Sequence, residues 1–188
     1  EHWSARLAGN FSRNDGVMHN TDLDRPEINV DQNTVRGRLR YDNDRLRADL
    51  GAFYSEQQLN ANNFQLIKAS APTLALMRQY DPQINDKLDF DLSANVPSRG
   101  ETRFEGANAT VSYALDGVGN IDQWELTSVT AWARQVLESR YIDGDFSPVP
   151  VIRDTLSRPA PFEQYSQELR IGGHDDGILG FGSGLNFV

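Results

Sequence analysis

Residues 34–55, TVRGRLRYDNDRLRADLGAFYS, hold two period-2 runs joined by an Asn-Asp turn, and their parity decides the fold. Val35, Gly37, Leu39 and Tyr41 alternate with Thr34, Arg36, Arg38 and Arg40. Beyond the turn, Leu46, Ala48, Leu50, Ala52 and Tyr54 alternate with Arg47, Asp49, Gly51, Phe53 and Ser55. Alternation of this kind is the mark of strands with one apolar and one polar face. Residues facing each other across a ladder share a side of the sheet, so the apolar positions must pair odd with even. A two-residue Asn43-Asp44 turn closing on Asp42 and Arg45 satisfies that rule. It predicts Arg38 opposite Asp49 and Arg40 opposite Arg47, with Asp49 on the diagonal.

Five further runs read as strands in the same way: 2–13, 103–115, 123–137, 162–172 and 178–188, with the hairpin itself spanning 34–42 and 45–56. The connections alternate long (14–33, 57–102, 138–161) and short (43–44, 116–122, 173–177). In an up-and-down sheet every second connection emerges on the same side, so the long loops share one rim and the turns near Asn43, Gly117 and Gly173 the other. Short periplasmic turns and long extracellular loops are the plan of an outer-membrane barrel. The expected fold is therefore all-β: an antiparallel, up-and-down transmembrane β-barrel fragment of about seven strands, occupying residues 1–188.

Composition leaves this open and closes other routes. The chain has 188 residues, 38% of them hydrophobic, and no apolar run long enough for a transmembrane helix. Barrel strands escape that test because only alternate residues face lipid. A net charge of −9 disfavours nucleic acid as a partner. There is no cysteine, hence no disulfide, thiol nucleophile or cysteine metal site. His2, His19 and His174 are scattered, with His174 read into the turn GGHDDG. Asp86, Asp89 and Asp91, and Asp143 with Asp145, lack the order of a calcium loop. Gly180, Gly182 and Gly184 suit a close-packed strand better than a nucleotide turn. No catalytic residue, cofactor site or metal site is predicted, and no enzyme activity is expected. Ser70 before APTLALMRQY predicts a short capped helix within the 57–102 loop, carrying Leu74, Met77 and Tyr80 along one side.

The aromatic residues on the apolar parity are Trp3, Phe11, Tyr41, Tyr54, Tyr113, Trp124, Trp132 and Tyr165. They cluster toward the two ends of their strands, as interfacial belts bounding a lipid-facing band would. On the fifth strand this reading turns Ser128 and Thr130 toward lipid. The opposite parity gathers Arg36, Arg38, Arg40, Arg47 and Asp49, with Glu168 and Arg170 on a later strand, as the candidate lumen-facing patch. A soluble β-sandwich binding module, for carbohydrate, is the alternative; it would bury Trp3, Trp124 and Trp132 in one core.

Four segments, in order, carry a family resemblance. WSARLAGNFSRNDGVMHN, with its Arg13-Asn14-Asp15-Gly16 and downstream Asn20, resembles an early barrel strand of TonB-dependent outer-membrane receptors. TVRGRLRYDNDRLRADLGAFYS is similar to the hairpin that follows it there. WELTSVTAWARQ resembles a Leu-Thr-Ser-Ile-Thr-x-Tyr-Arg strand of that family, with Trp132 and a shifted Arg134 as departures. QYSQELRIGG matches most specifically, through Ser166, Gln167, Glu168, Leu169 and Arg170. The resemblance implies part of a barrel of about 22 strands with a plugged lumen, located in the bacterial outer membrane. It implies import of a nutrient chelate, most often a ferric siderophore, with energy relayed by an inner-membrane complex. The implied partners are outer-membrane lipid, the chelate, a plug domain, and the energising complex reached through an N-terminal segment. Neither plug, energising segment nor closing strands are recognisable in the 188 residues, so a partial barrel domain is expected.

Overall fold

The computed structural model describes residues 2–60, 63–118, 121–141, 143–152, 159–174 and 181–187. In chain order it contains β1 (Trp3–Asn14), β2 (Met18–Asn20), β3 (Arg25–Glu27), β4 (Val30–Asp42) and β5 (Leu46–Asn60). There follow α1 (Ala71–Met77), β6 (Asp91–Leu92), β7 (Arg99–Val118), β8 (Ile121–Arg140), β9 (Ala160–His174) and β10 (Phe181–Phe187). Seven of these strands form one antiparallel sheet in the order β1-β4-β5-β7-β8-β9-β10, each beside its neighbour in the chain apart from the loop strands. The sheet does not close on itself; β1 and β10 are its edges. The strands outrun the expected ranges. Gly117 lies within β7, and Gly173 and His174 within β9, not in the turns expected of them; residues 119–120 and 175–180, where the rest of those connections was expected, lie outside the described residues.

The expected face assignment holds, and the hairpin register moves by two residues. Arg40 pairs with Asp49, Arg38 with Gly51 and Asp42 with Arg47. Arg38 therefore does not oppose Asp49, although both stand on one face. The turn explains the shift. Asn43 Oδ1 accepts from the backbone N–H groups of Arg45 (2.9 Å) and Leu46 (2.7 Å), and Asn43 N–H donates to Leu46 O (2.9 Å). Asn43 is thus a closing residue, and Asp44 and Arg45 form the tip. The observed register also replaces opposed Arg40 and Arg47, a like-charge pairing that costs stability, with Arg40–Asp49 (2.7 Å) and Arg47–Asp42 (3.1 Å) ion pairs.

The seven-stranded sheet is a single layer. Among the described residues no helix or second sheet packs over either face. Trp3 is 63% exposed and Leu7 79%. Trp124 and Trp132 are half-buried by their sheet neighbours, and the three tryptophans share no core. Two sheets face to face, which a sandwich needs, are not present among the described residues.

The buried apolar residues lie instead among the long loops. Ile84, Leu92, Ala94 and Val96 are buried together with Asn20, Glu27, Asp81 and Asp143. A small sheet, β3-β2-β6, joins the first long loop to the second, with β2 and β6 parallel. The helix forms where its cap predicts: Ser70 Oγ accepts from Thr73 N–H, and a proline occupies the first turn. Leu74 and Met77 are half-buried, while Tyr80 is exposed.

Candidate functional site

Three surfaces are built from this plan: an apolar face, a polar face and a cap of long loops. The apolar face carries all eight sequence-predicted aromatics. Trp3 and Tyr41 are cross-strand partners with ring centroids 4.8 Å apart. Their ladder row continues through Ala48 to Val111. Tyr113 lies two residues beyond that row toward the short turns, and Trp124, opposite Leu115, two residues further. At the other end, Tyr54 faces Val35, whose partner Gly9 is two residues short of Phe11. Trp132 faces Ala107, the partner of Ala52, two residues short of Tyr54, and Tyr165 is paired with Trp132.

The two lines of aromatics therefore run parallel. Each drops four residues over the four steps from β1 to β8, and each stays eight residues from the other, as from Trp3 to Phe11 and from Trp124 to Trp132. One residue per strand, at ~3.3 Å rise and ~4.8 Å spacing, sets the lines ~35° from the perpendicular to the strands. That slope falls in the strand-tilt range of barrels. Eight residues at this tilt span ~22 Å along the barrel axis, against a band ~25 Å tall on outer-membrane barrels.

Between the lines the face carries no ionisable side chain among the described residues. The polar groups there are Ser128, Thr130 and Gln167, which satisfy one another. Thr130 Oγ1 donates to Gln167 Oε1 (2.5 Å), and Gln167 Nε2 donates to Ser128 Oγ (3.0 Å). Charges begin immediately past the long-loop line. Glu163 accepts from Trp132 Nε1 (2.7 Å) and Tyr165 OH (2.9 Å), and Tyr54 OH donates to Glu56 (3.0 Å). Each of these aromatics thus turns its polar end away from the uncharged band.

The polar face brings Arg36, Arg38, Arg40, Arg47 and Asp49 together on β4 and β5. Arg40 and Arg47 are engaged by Asp49 and Asp42. Glu168 and Arg170 share this face but not this cluster: β7 and β8 intervene, and the two residues pair with each other (Arg170 Nη2–Glu168 Oε2 2.6 Å). Arg6 joins Arg36 and Arg38 from β1, standing directly opposite Arg38. Sequence reading missed it, though its even position on a strand with odd apolar parity was signal enough.

The cap ties the three long loops together. Asn20, fully buried, donates to Ala94 O (3.0 Å) and Glu27 Oε1 (3.3 Å) and accepts from the N–H groups of Asp22, Leu23 and Ala94. Thr21 Oγ1 lies 2.5 Å from Asp81 Oδ2, and Asp143 N–H donates to Ser98 Oγ (3.2 Å). Phe64 and Phe146, from the second and third loops, meet with ring centroids 4.2 Å apart and planes tilted by 45°. Burial, with Asp81 and Asp143 nearby, raises the Asp22 carboxyl above its ordinary value; burial likewise raises Asp143. Asp89 is held down by the Asp91 N–H and the Asn85 amide. Backbone strain concentrates in the same loops: Asp24, Ile28, Phe90, Tyr141 and Phe146 adopt positive φ. His19 sits between Asp24 (3.2 Å) and Asp91 (3.8 Å), and no acidic or histidine cluster able to hold a metal occurs among the described residues.

No protein-family model, no curated protein and no solved structure matches this chain.

Proposed function

We propose that this chain is a wall segment of an outer-membrane β-barrel receptor of the TonB-dependent type, serving uptake of a nutrient chelate such as a ferric siderophore. The observation that carries the reading is the pair of parallel aromatic lines on an otherwise bare, uncharged face. A sheet burying that face against protein has no need to confine tyrosine and tryptophan to two tilted lines eight residues apart. A sheet facing lipid does, because those side chains are stabilised at the headgroup level. On this reading the polar face lines the lumen and the short turns lie in the periplasm. The loop cap faces outward, where it meets the chelate. The ordered resemblance of four segments supports the receptor class within the barrel class.

Fractionation of cells producing the parent polypeptide, followed by binding of radiolabelled ferric siderophores, tests this. We expect the polypeptide in the outer-membrane fraction, with saturable chelate binding that falls when Asn20→Ala loosens the cap. Recovery in the soluble fraction without chelate binding would refute it.

A further inference from the structure

The polar face holds an arrangement that strand pairing alone disfavours. Arg6 and Arg38 are directly opposed across β1 and β4, and Arg36 follows two residues along β4 on the same face. Like charges directly opposite each other destabilise a sheet. Neighbouring arginines are neutralised, Arg40 by Asp49, Arg47 by Asp42 and Arg45 by Asp116. Among the described residues, no carboxylate stands within ion-pair distance of Arg6, Arg36 or Arg38. On the β1 side the neighbour leaves space, Ala8 being opposite Arg36; on the β5 side Phe53 stands opposite Arg36 and Gly51 opposite Arg38, with the Asn108 side chain over Gly51. Arg6, Arg36 and Arg38 line an open recess of about 370 Å³ together with Ala8, Gly9, Asn10 and Thr34. That volume is within the range of small-molecule sites. Its charged groups are all donors, and the planar guanidinium fork matches carboxylate and phosphate oxygens in pairs.

We propose that Arg6, Arg36 and Arg38 form a subsite for a small multivalent oxyanion, bearing either carboxylate or phosphate groups, on the polar face of the sheet. The bound anion supplies the negative charge that the strands withhold. It bridges the opposed pair Arg6 and Arg38, with Arg36 closing the third side. The recess lies between the levels of Trp3 and Phe11, so its ligand is held at mid-height of the sheet, away from both rims. The site rests on side chains present in the chain and does not depend on the membrane reading.

Titration of the full chain in micelles of an uncharged detergent with citrate, pyrophosphate and a Glu-rich peptide, followed by calorimetry, tests the proposal. We expect saturable one-to-one binding of citrate or pyrophosphate, weakening as salt is raised. Which of the two binds tighter distinguishes a carboxylate from a phosphate ligand. Arg6→Gln and Arg38→Gln each lower the affinity ~10-fold or more, while Arg13→Gln, at the long-loop rim, leaves it unchanged. The unliganded Arg6→Gln chain melts no lower than the parent, because an opposed charge has been removed, and it loses the anion-induced rise in melting temperature. The proposal is overturned if neither small anion binds, if only the acidic peptide binds, or if Arg13→Gln loses binding equally. Failure of this titration would leave the aromatic lines and their lipid reading untouched.

Discussion

Asn20 concentrates more of the loop cap in one side chain than any other buried polar residue described. Its amide joins the first long loop to the second, and truncation leaves the buried N–H of Ala94 and the part-buried N–H groups of Asp22 and Leu23 without that acceptor. Asn20→Ala should cost the cap about 3 kcal/mol, seen as faster hydrogen exchange at the Ala94 amide with strand amides of β4 and β5 unaffected. Gly16 is the second such residue. Its φ is +91°, and a Cβ there would sit 2.3 Å from Glu27 O. Gly16→Ala should therefore destabilise the cap by more than about 1 kcal/mol; an unchanged melting curve would contradict the contact. The cap also carries a pH signature. Asp22 and Asp143 have raised folded-state values, so the folded cap binds protons more readily than the unfolded chain. Their contribution is lost as pH rises through those folded values and is fully present below the ordinary carboxyl range. Cap amides, corrected for intrinsic exchange, should gain protection as pH falls from neutral toward the ordinary carboxyl range. The opposing contribution of Asp89 is lost only at more acid pH, because its folded value is lowered.

At the scale of elements, sequence and structure part company where side-chain period stops being the informative signal. Face assignment was legible because apolar and polar residues alternate along most strands of the large sheet, with the middle of β8 as the exception. Ser128 and Thr130 break the parity of the apolar face, and the structure keeps them there by bonding both to Gln167. Register was not legible from parity, since a shift of two residues leaves every face unchanged. It is set by Asn43, whose side chain captures two backbone N–H groups and moves the hairpin tip to Asp44 and Arg45. Disulfide trapping checks this directly. Leu39→Cys with Leu50→Cys, which are opposed, should cross-link readily, and Arg38→Cys with Asp49→Cys, which lie on a diagonal, should not. The cap was the least legible part. Strands β2, β3 and β6 are two or three residues long, too short for any period, and of the cap's buried apolar residues Leu92, Ala94 and Val96 alternate over five residues only, with Ile84 apart from them in the second loop. Asn20 was visible as part of a motif, yet nothing in its neighbourhood along the chain announced Ala94 as its partner.

Taken whole, the molecule is a one-layer wall with its own buried residues gathered at one rim. Folded domains ordinarily bury a sheet face against a second layer, and here neither face is covered among the described residues. Contiguous exposed apolar surface on that scale marks an interaction surface. On the proposed reading its partner is lipid, which the absence of charge between two parallel aromatic lines supports. A charge placed mid-band should then be costly: Leu50→Arg is expected to destabilise the bilayer-inserted chain by about 2–4 kcal/mol. Thr110→Arg, on the polar face, should be near neutral in the same urea titration in vesicles. The most direct measurement is fluorescence quenching by brominated lipids in vesicles, using chains that retain Trp3, Trp124 or Trp132 singly. The account predicts that all three are quenched, most strongly by bromines near the headgroups and least by bromines at the bilayer centre. A chain that stays monomeric and folded in plain buffer, with its tryptophans unquenched by any of these vesicles, would contradict it.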